Sequence, residues 1–194
     1  LWDLAGKAQG VPVYRLLGGK FRDRVRLYVD SAHTNYSERA AEVRERGFTA
    51  VKFDLDDGQN PHKLDPWNWS VTPDELKSIV DLAFEIREGV GPSLDLAMDL
   101  HGRYDATAGL KFAQALEPLN LMWLEEPVPP ENIDALGKIT RATQTPICAG
   151  ENLYLRYGFR DLLQQQAVDI IMPDISKCGG LSECRKIANM AEIY

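Results

Sequence analysis

The stretch Leu94-Asp95-Leu96-Ala97-Met98-Asp99-Leu100-His101-Gly102-Arg103 decides the reading of this chain. It is an apolar run that ends in polar residues, the pattern of a buried strand reaching a surface. Side chains two apart on a strand share a face, so Asp99 and His101 are expected to project together from its C-terminal end. Two later segments end alike: Met122-Trp123-Leu124-Glu125-Glu126-Pro127 and Pro146-Ile147-Cys148-Ala149-Gly150-Glu151-Asn152. Asp99 and Glu125 stand as far apart in sequence as Glu125 and Glu151. A repeated strand–helix unit with an acid at each strand end gathers three carboxylates on one rim. They would repel one another without a cation among them. Oxygen ligands with no Cys or His in the set point to Mg²⁺.

Working outward, Leu1, Leu4, Ala5 and Ala8 follow helical spacing up to Gly10, and Pro12 opens a short second helix that ends before Gly18-Gly19. Val25–Val29 alternates and reads as the first strand. Ser37 is placed to cap a helix running to Arg46, and Thr49–Leu55 reads as the second strand, with Lys52 and Asp54 on one face. Asp56–Val71 is a long polar loop holding Trp67 and Trp69, which either cover the loop's own small core or touch a ligand. Thr72-Pro73-Asp74-Glu75 is a capping box with Pro at the first helical position. Beyond the central strand come a helix over 105–117, a strand over 121–124, a helix over 130–141, a strand over 145–149 and a helix over 158–165. A strand over 168–174 and a final helix after Gly179-Gly180 complete six strand–helix units.

Near-continuous apolar strands are buried on both faces, which means a parallel α/β sheet. A closed (β/α)8 barrel takes eight units in about 250 residues, so the last two would be missing. An open doubly wound sheet is the alternative, but it gathers its site at one crevice and not at successive strand ends. Gly150, Gly179 and Gly180 do not form a dinucleotide-binding fingerprint.

Composition narrows the function. The 194 residues are 44% hydrophobic and 26% charged, ordinary for a globular protein. A formal charge of −7 argues against a nucleic-acid partner. No apolar run approaches the ~18 residues of a membrane span, and no secretory signal is read, so a cytoplasmic location away from membranes is expected. Cys148, Cys178 and Cys184 read as reduced, buried thiols. A start at Leu1, already within a helical pattern, suggests a fragment.

Taken in order, Asp99-Leu100-His101-Gly102-Arg103, Trp123-Leu124-Glu125-Glu126-Pro127-Val128, Gly150-Glu151-Asn152-Leu153-Tyr154, and Pro173-Asp174 before Gly179-Gly180 resemble the enolase superfamily. Within it they are most similar to the mandelate racemase subgroup and its galactonate and gluconate dehydratases. Leu1-Trp2-Asp3-Leu4-Ala5-Gly6-Lys7 resembles the family's link from a capping domain, making residues 1–24 a link and 25–194 a partial catalytic barrel without that capping domain. The resemblance implies that Asp99, Glu125 and Glu151 bind Mg²⁺. It implies that His101 is a general acid, and that Asp174 orients a base histidine from a seventh strand beyond Tyr194. Neither His33 nor His62 stands at a strand position that could replace that histidine. A structural His101, or an Asp174 that merely caps the helix before Gly179, are the plainer readings.

Racemases of the subgroup carry two lysines spaced by one residue on the second strand. Here Lys52 keeps the first place and Asp54 takes the second, which speaks against a two-base racemase. Lys52 is expected either to meet the substrate carboxylate or to pair with Asp54 or a metal ligand; His101, Asp174 and Lys52 form the candidate catalytic set, and Lys52, Asp54 and Arg103 the candidate substrate-binding set. The implied reaction is Mg²⁺-dependent dehydration of a galactonate- or gluconate-like sugar acid to a 2-keto-3-deoxy acid, through α-proton abstraction and a metal-stabilised enediolate. An epimerase or cycloisomerase of the same superfamily, or a non-catalytic metal-binding fragment, are the rivals. Family precedent also implies a homo-oligomer. Replacing Glu125 with Gln removes one negative charge from the triad and should weaken Mg²⁺ binding sharply. Calorimetry that found unchanged affinity would remove Glu125 from the ligand set.

Overall fold

A computed structural model describes residues 1–31, 35–55 and 68–194. Its six strands are β1 (Val29–Ser31), β2 (Ala50–Asp54), β3 (Asp95–Asp99), β4 (Trp123–Glu125), β5 (Ile147–Ala149) and β6 (Ile170–Ile171). They form one sheet in the order of the chain, every neighbouring pair parallel. The principal helices between and around them are α3 (Tyr36–Glu45), α4 (Pro73–Val90), α5 (Ala106–Ala115), α6 (Ile133–Thr140), α7 (Leu155–Gln164) and α8 (Leu181–Ala191). They are preceded by α1 (Trp2–Gln9) and α2 (Val13–Leu16). Strictly sequential strand order is barrel winding; a doubly wound sheet reverses direction part-way.

The sheet has two apolar faces. Val51, Phe53, Leu96, Met98, Leu124 and Ile147 pack outward into the large core shared with the helices. Ala97, Trp123 and Cys148 point the other way, with Tyr28, Ile170 and Met172 against them. Tyr28 just precedes β1 and Met172 just follows β6, yet the tyrosine hydroxyl donates to Met172 Sδ at 3.6 Å. The Tyr28 and Trp123 rings meet edge to face at 5.3 Å. The two edges of the sheet therefore curl toward each other around this inner cluster. All three cysteines are free thiols, two of them buried.

Local chemistry sets the helix starts. Thr72 Oγ1 accepts from the Glu75 amide at 3.2 Å, as its capping box predicts. Asp105 caps α5 by accepting from the Thr107 and Ala108 amides. Elsewhere the boundaries move. α3 begins earlier than Ser37 predicts because Asn35 is the cap, accepting from the Glu38 amide at 3.2 Å. α6 begins at Ile133 and not at Pro130, because Asn132 caps the Ala135 amide. α7 begins at Leu155, ahead of Gly158.

The first strand departs most from expectation. The ladder runs over Val29–Ser31, and Val25 and Leu27 are 67% and 61% exposed. Between them Arg26 reaches Thr49 Oγ1 at 2.8 Å and Asp95 Oδ2 at 2.6 Å. That segment is tied to the starts of β2 and β3 by a side chain and not by a backbone ladder. Likewise only Ile170–Ile171 of the expected 168–174 strand is paired. Trp67, His33 and His62 lie outside the described residues.

Gly109 shows how tightly α5 seats on the loop after β4. A Cβ there would lie 2.7 Å from Val128 Cγ1 and 2.8 Å from the Pro127 carbonyl oxygen. Alanine is normally the better helix former by about 1 kcal/mol. Here the clash with backbone should outweigh that gain, so Gly109→Ala should destabilise the fold by about 1–2 kcal/mol net. A lowered urea midpoint tests this; a raised one would mean that α5 shifts freely.

Candidate active site at the strand ends

Strand register brings the acids level. Asp54 is paired with Asp99 across β2 and β3, and Asp99 with Glu125 across β3 and β4. Lys52 lies two residues back along β2 on the same face, opposite Ala97 of the inner cluster. Its Nζ donates to Asp99 Oδ2 at 2.8 Å and to Glu125 Oε2 at 3.2 Å. All three side chains are buried. Glu125 Oε2 also accepts from Trp123 Nε1 at 3.1 Å.

Burial opposes charge here, and the pairing answers it. Desolvation pulls the Lys52 ammonium down, but the Asp99 hydrogen bond and the Asp99 and Glu125 charges outweigh it and hold the ammonium well above the ordinary lysine range. Burial, then the Asp99 charge, pushes the Glu125 carboxyl up against the pull of Lys52. Glu125 Oε1 is buried with no hydrogen-bond partner among the described residues. An orphaned carboxylate oxygen beside a second buried carboxylate is the donor chemistry that a hard cation satisfies.

His101 reaches the same place by a different route from the one its spacing suggests. β3 ends at Asp99, and His101 sits in a turn with φ 49°. Asp99 Oδ1 accepts from the His101 amide at 2.8 Å, which folds the turn back on the strand end. The imidazole Nε2 then lies 3.5 Å from Asp99 Oδ2 and 3.9 Å from Asp54 Oδ1. Burial, more than any neighbouring charge, raises the Asp54 carboxyl. Asp54, Asp99 and His101 each bring one ligand atom within 4.8 Å of the others, a donor set that shares only Asp99 with the expected Asp99, Glu125 and Glu151.

Glu151 stands apart from this group, past the last paired residue of β5. Strand alternation would send it to the helix side, but Gly150 has φ 130° and breaks the extended backbone. Its carboxylate accepts from Asn152 Nδ2 at 3.2 Å, and Lys177 Nζ is 3.7 Å away. Asp174 is exposed and lies beyond β6. Its Oδ1 accepts from the Lys177 amide at 2.8 Å within a turn, while the N-cap of α8 is Gly180 and not Asp174. Arg103 is exposed on the loop after His101.

Three participants escaped the sequence reading: Glu126, Asn152 and Lys177. Glu126 is 1% exposed, and its φ of 38° turns it along the rim. It accepts from the Gly150 amide at 3.3 Å and from Asn152 Nδ2 at 3.1 Å. The doubled Glu125-Glu126 before Pro127 was the only available signal for it.

A sequentially wound parallel sheet of six strands, with acids and a histidine collected at the C-terminal strand ends, is the pattern of part of a barrel of the kind that carries its site on that face. The chain belongs to the enolase C-terminal domain-like family, which matches residues 35–194. It is 42% identical to a D-xylonate dehydratase of Haloferax volcanii, covering all of this chain and 48% of that protein. It is 37% identical to a D-galactonate dehydratase of Pectobacterium atrosepticum, covering all of this chain and 50% of that one. A crystal structure of a mandelate racemase/muconate lactonizing enzyme-like protein from Rubrobacter xylanophilus is 50% identical with a TM-score of 0.90. That match covers 99% of this chain and 54% of the other. The chain thus spans about half the length of the curated relatives it matches.

Lys52 should be indispensable to the fold when no metal is supplied. Lys52→Met leaves two buried carboxylates without their cation and should cost about 3–5 kcal/mol in chemical denaturation at neutral pH. The deficit should shrink as pH falls and the carboxylates protonate. An unchanged midpoint at neutral pH would show that the pair is not charged in the folded protein.

Proposed function

We propose that the protein carrying this chain is a Mg²⁺-dependent lyase that dehydrates a sugar acid to a 2-keto-3-deoxy acid. Residues 1–24 would serve as the link and 25–194 as part of its catalytic barrel. The observation that carries the reading is His101, whose imidazole lies 3.5 Å from Asp99 beside the buried Asp99–Glu125 pair. Support comes from relatives named as D-xylonate, D-galactonate and D-gluconate dehydratases.

In this reading Asp99, Glu125 and Glu151 hold the metal. Mg²⁺ bound there supplies the positive charge that makes a proton α to a carboxylate removable. Lys52, whose Nζ donates to Asp99 and Glu125, would offset part of their charge and is not assigned as a base. Asp54 in place of a second lysine leaves that strand without one of the bases a lysine-based racemase would use. Asp54 and Arg103 flank His101 in sequence or space and would meet the substrate's hydroxyls; Lys52 would lessen the repulsion between the acids and the substrate carboxylate. His101 gives a proton to the departing β-hydroxyl, which leaves as water. The resulting enol takes up a proton at carbon and becomes the 2-keto acid. Asp174 orients a histidine from outside residues 1–194 that removes the α-proton. The protein works in the cytoplasm as a homo-oligomer on a small-molecule substrate.

Incubation with Mg²⁺ and a panel of five- and six-carbon aldonic acids, assayed for 2-keto-3-deoxy product, tests the reaction class; no product from any member would overturn it. His101→Asn tests the assignment of the acid. Loss of the β-hydroxyl should slow by about 10²–10⁴-fold, while recovered substrate still acquires solvent deuterium at the α carbon. Dehydration at the unmutated rate would make His101 structural. Loss of exchange as well, with metal binding intact, would make it the base.

A further inference from the structure

Beyond the residues just assigned, the rim holds a polar network centred on Asn152. Its amide uses every hydrogen-bonding atom it has. Nδ2 donates to Glu126 Oε2 at 3.1 Å and to Glu151 Oε1 at 3.2 Å. Oδ1 accepts from Lys177 Nζ at 3.0 Å. Glu126 is in turn fixed by the Gly150 amide, which donates to its Oε1 at 3.3 Å. Three strand ends meet in this one side chain: the residue after β4, the turn after β5 and the loop after β6.

The orientation of the amide is forced. Lys177 has only donors to offer and the two carboxylates only acceptors, so a flipped amide would set Nδ2 against an ammonium and Oδ1 against two carboxylates. Glu151 needs such support, because it follows Gly150 at φ 130° and no strand ladder holds it. Its carboxylate is also only partly buried, unlike those of Asp99 and Glu125. The strand ladder, burial and the Lys52 bonds therefore fix two members of the acid triad, and the third, off the ladder, depends on its side-chain hydrogen bonds. We infer that Asn152, its amide locked by Lys177 and braced on Glu126, is the positioning residue that aims the Glu151 carboxylate at the metal. This rests on the reading of Glu151 as a Mg²⁺ ligand.

The test is a double-mutant cycle on Mg²⁺ affinity, read by calorimetry with no turnover required. Asn152→Ala should weaken Mg²⁺ binding by about 10–100-fold, the usual effect of losing a residue that orients a ligand. Glu151→Gln should weaken it as well. In the Glu151→Gln background the Asn152→Ala change should add little, because there is no longer a charged ligand to aim. Independent, additive losses would overturn the positioning role, since a general structural effect does not care what stands at 151. So would unchanged affinity in Asn152→Ala alongside weakened binding in Glu151→Gln, and the metal reading would then survive. Unchanged affinity in Glu151→Gln would overturn both the inference and the assignment of Glu151. If the alanine variant fails to fold, Asn152→Ser, whose hydroxyl is too short to span Glu126 and Glu151, carries the same expectations.

Discussion

A single buried ammonium between two buried carboxylates is the constraint around which the site is arranged. Lys52, Asp99 and Glu125 come from three adjacent strands and are all removed from water. Isolated in a poorly solvated interior, any one of them would be forced toward its neutral form. Together they form one hydrogen-bonded cluster, and they do so only if β2, β3 and β4 keep their register. A slip of one residue in any strand would turn its charged side chain into the helix-facing core. The electrostatics of the site and the register of the sheet thus depend on each other. Two acids share the single lysine, and among the described residues one oxygen of Glu125 has no hydrogen bond. An unbonded carboxylate oxygen in a buried site is donor chemistry that a further cation would satisfy.

The sheet itself is built from a plain rule with a chemical exception at its end. Along each strand one face is aliphatic and meets the helices, while the other meets the cluster of Tyr28, Trp123 and Cys148. Toward the C-terminal ends this inner face changes from apolar to charged within two residues: Ala97 to Asp99, Trp123 to Glu125. Just beyond, the backbone leaves the extended region. His101, Glu126 and Gly150 have φ of 49°, 38° and 130°. Left-handed conformations at non-glycine residues cost roughly 1–3 kcal/mol each and persist where the surroundings fix them. Here the fixing contacts are visible: Asp99 accepts from the His101 amide, and Glu126 is held by Gly150 and Asn152. The turns carry strain, and the strands they follow supply the rigidity.

Much of this architecture was legible in the order of the residues. Buried parallel strands follow from apolar runs with no polar alternation, and the capping box at Thr72 states a helix start outright. Where boundaries slipped, a stronger local partner won. Asn35 and Asn132 captured the first free amides of their helices ahead of the residues expected to begin them. Arg26 drew the segment from Val25 to Leu27 away from the ladder by binding Thr49 and Asp95, a contact across 69 residues that no local pattern contains.

What the chain determined by itself is the set of strand-end acids, the histidine beside the first of them and the parallel sheet that presents them, because periodicity and spacing are properties of neighbouring residues. Tertiary structure decided which of those acids share one cation and which do not. Lys52 could have met Asp54 two residues away, yet register across the sheet gives it Asp99 and Glu125. Asp99, Glu125 and Glu151 are evenly spaced along the chain but not equivalent in space, since two lie on paired strands and the third follows a left-handed glycine. Asn152 and Lys177 gained their place through hydrogen bonds between separate loops. Such contacts arise only once the sheet has brought those loops together, which is why the sequence alone held no sign of them.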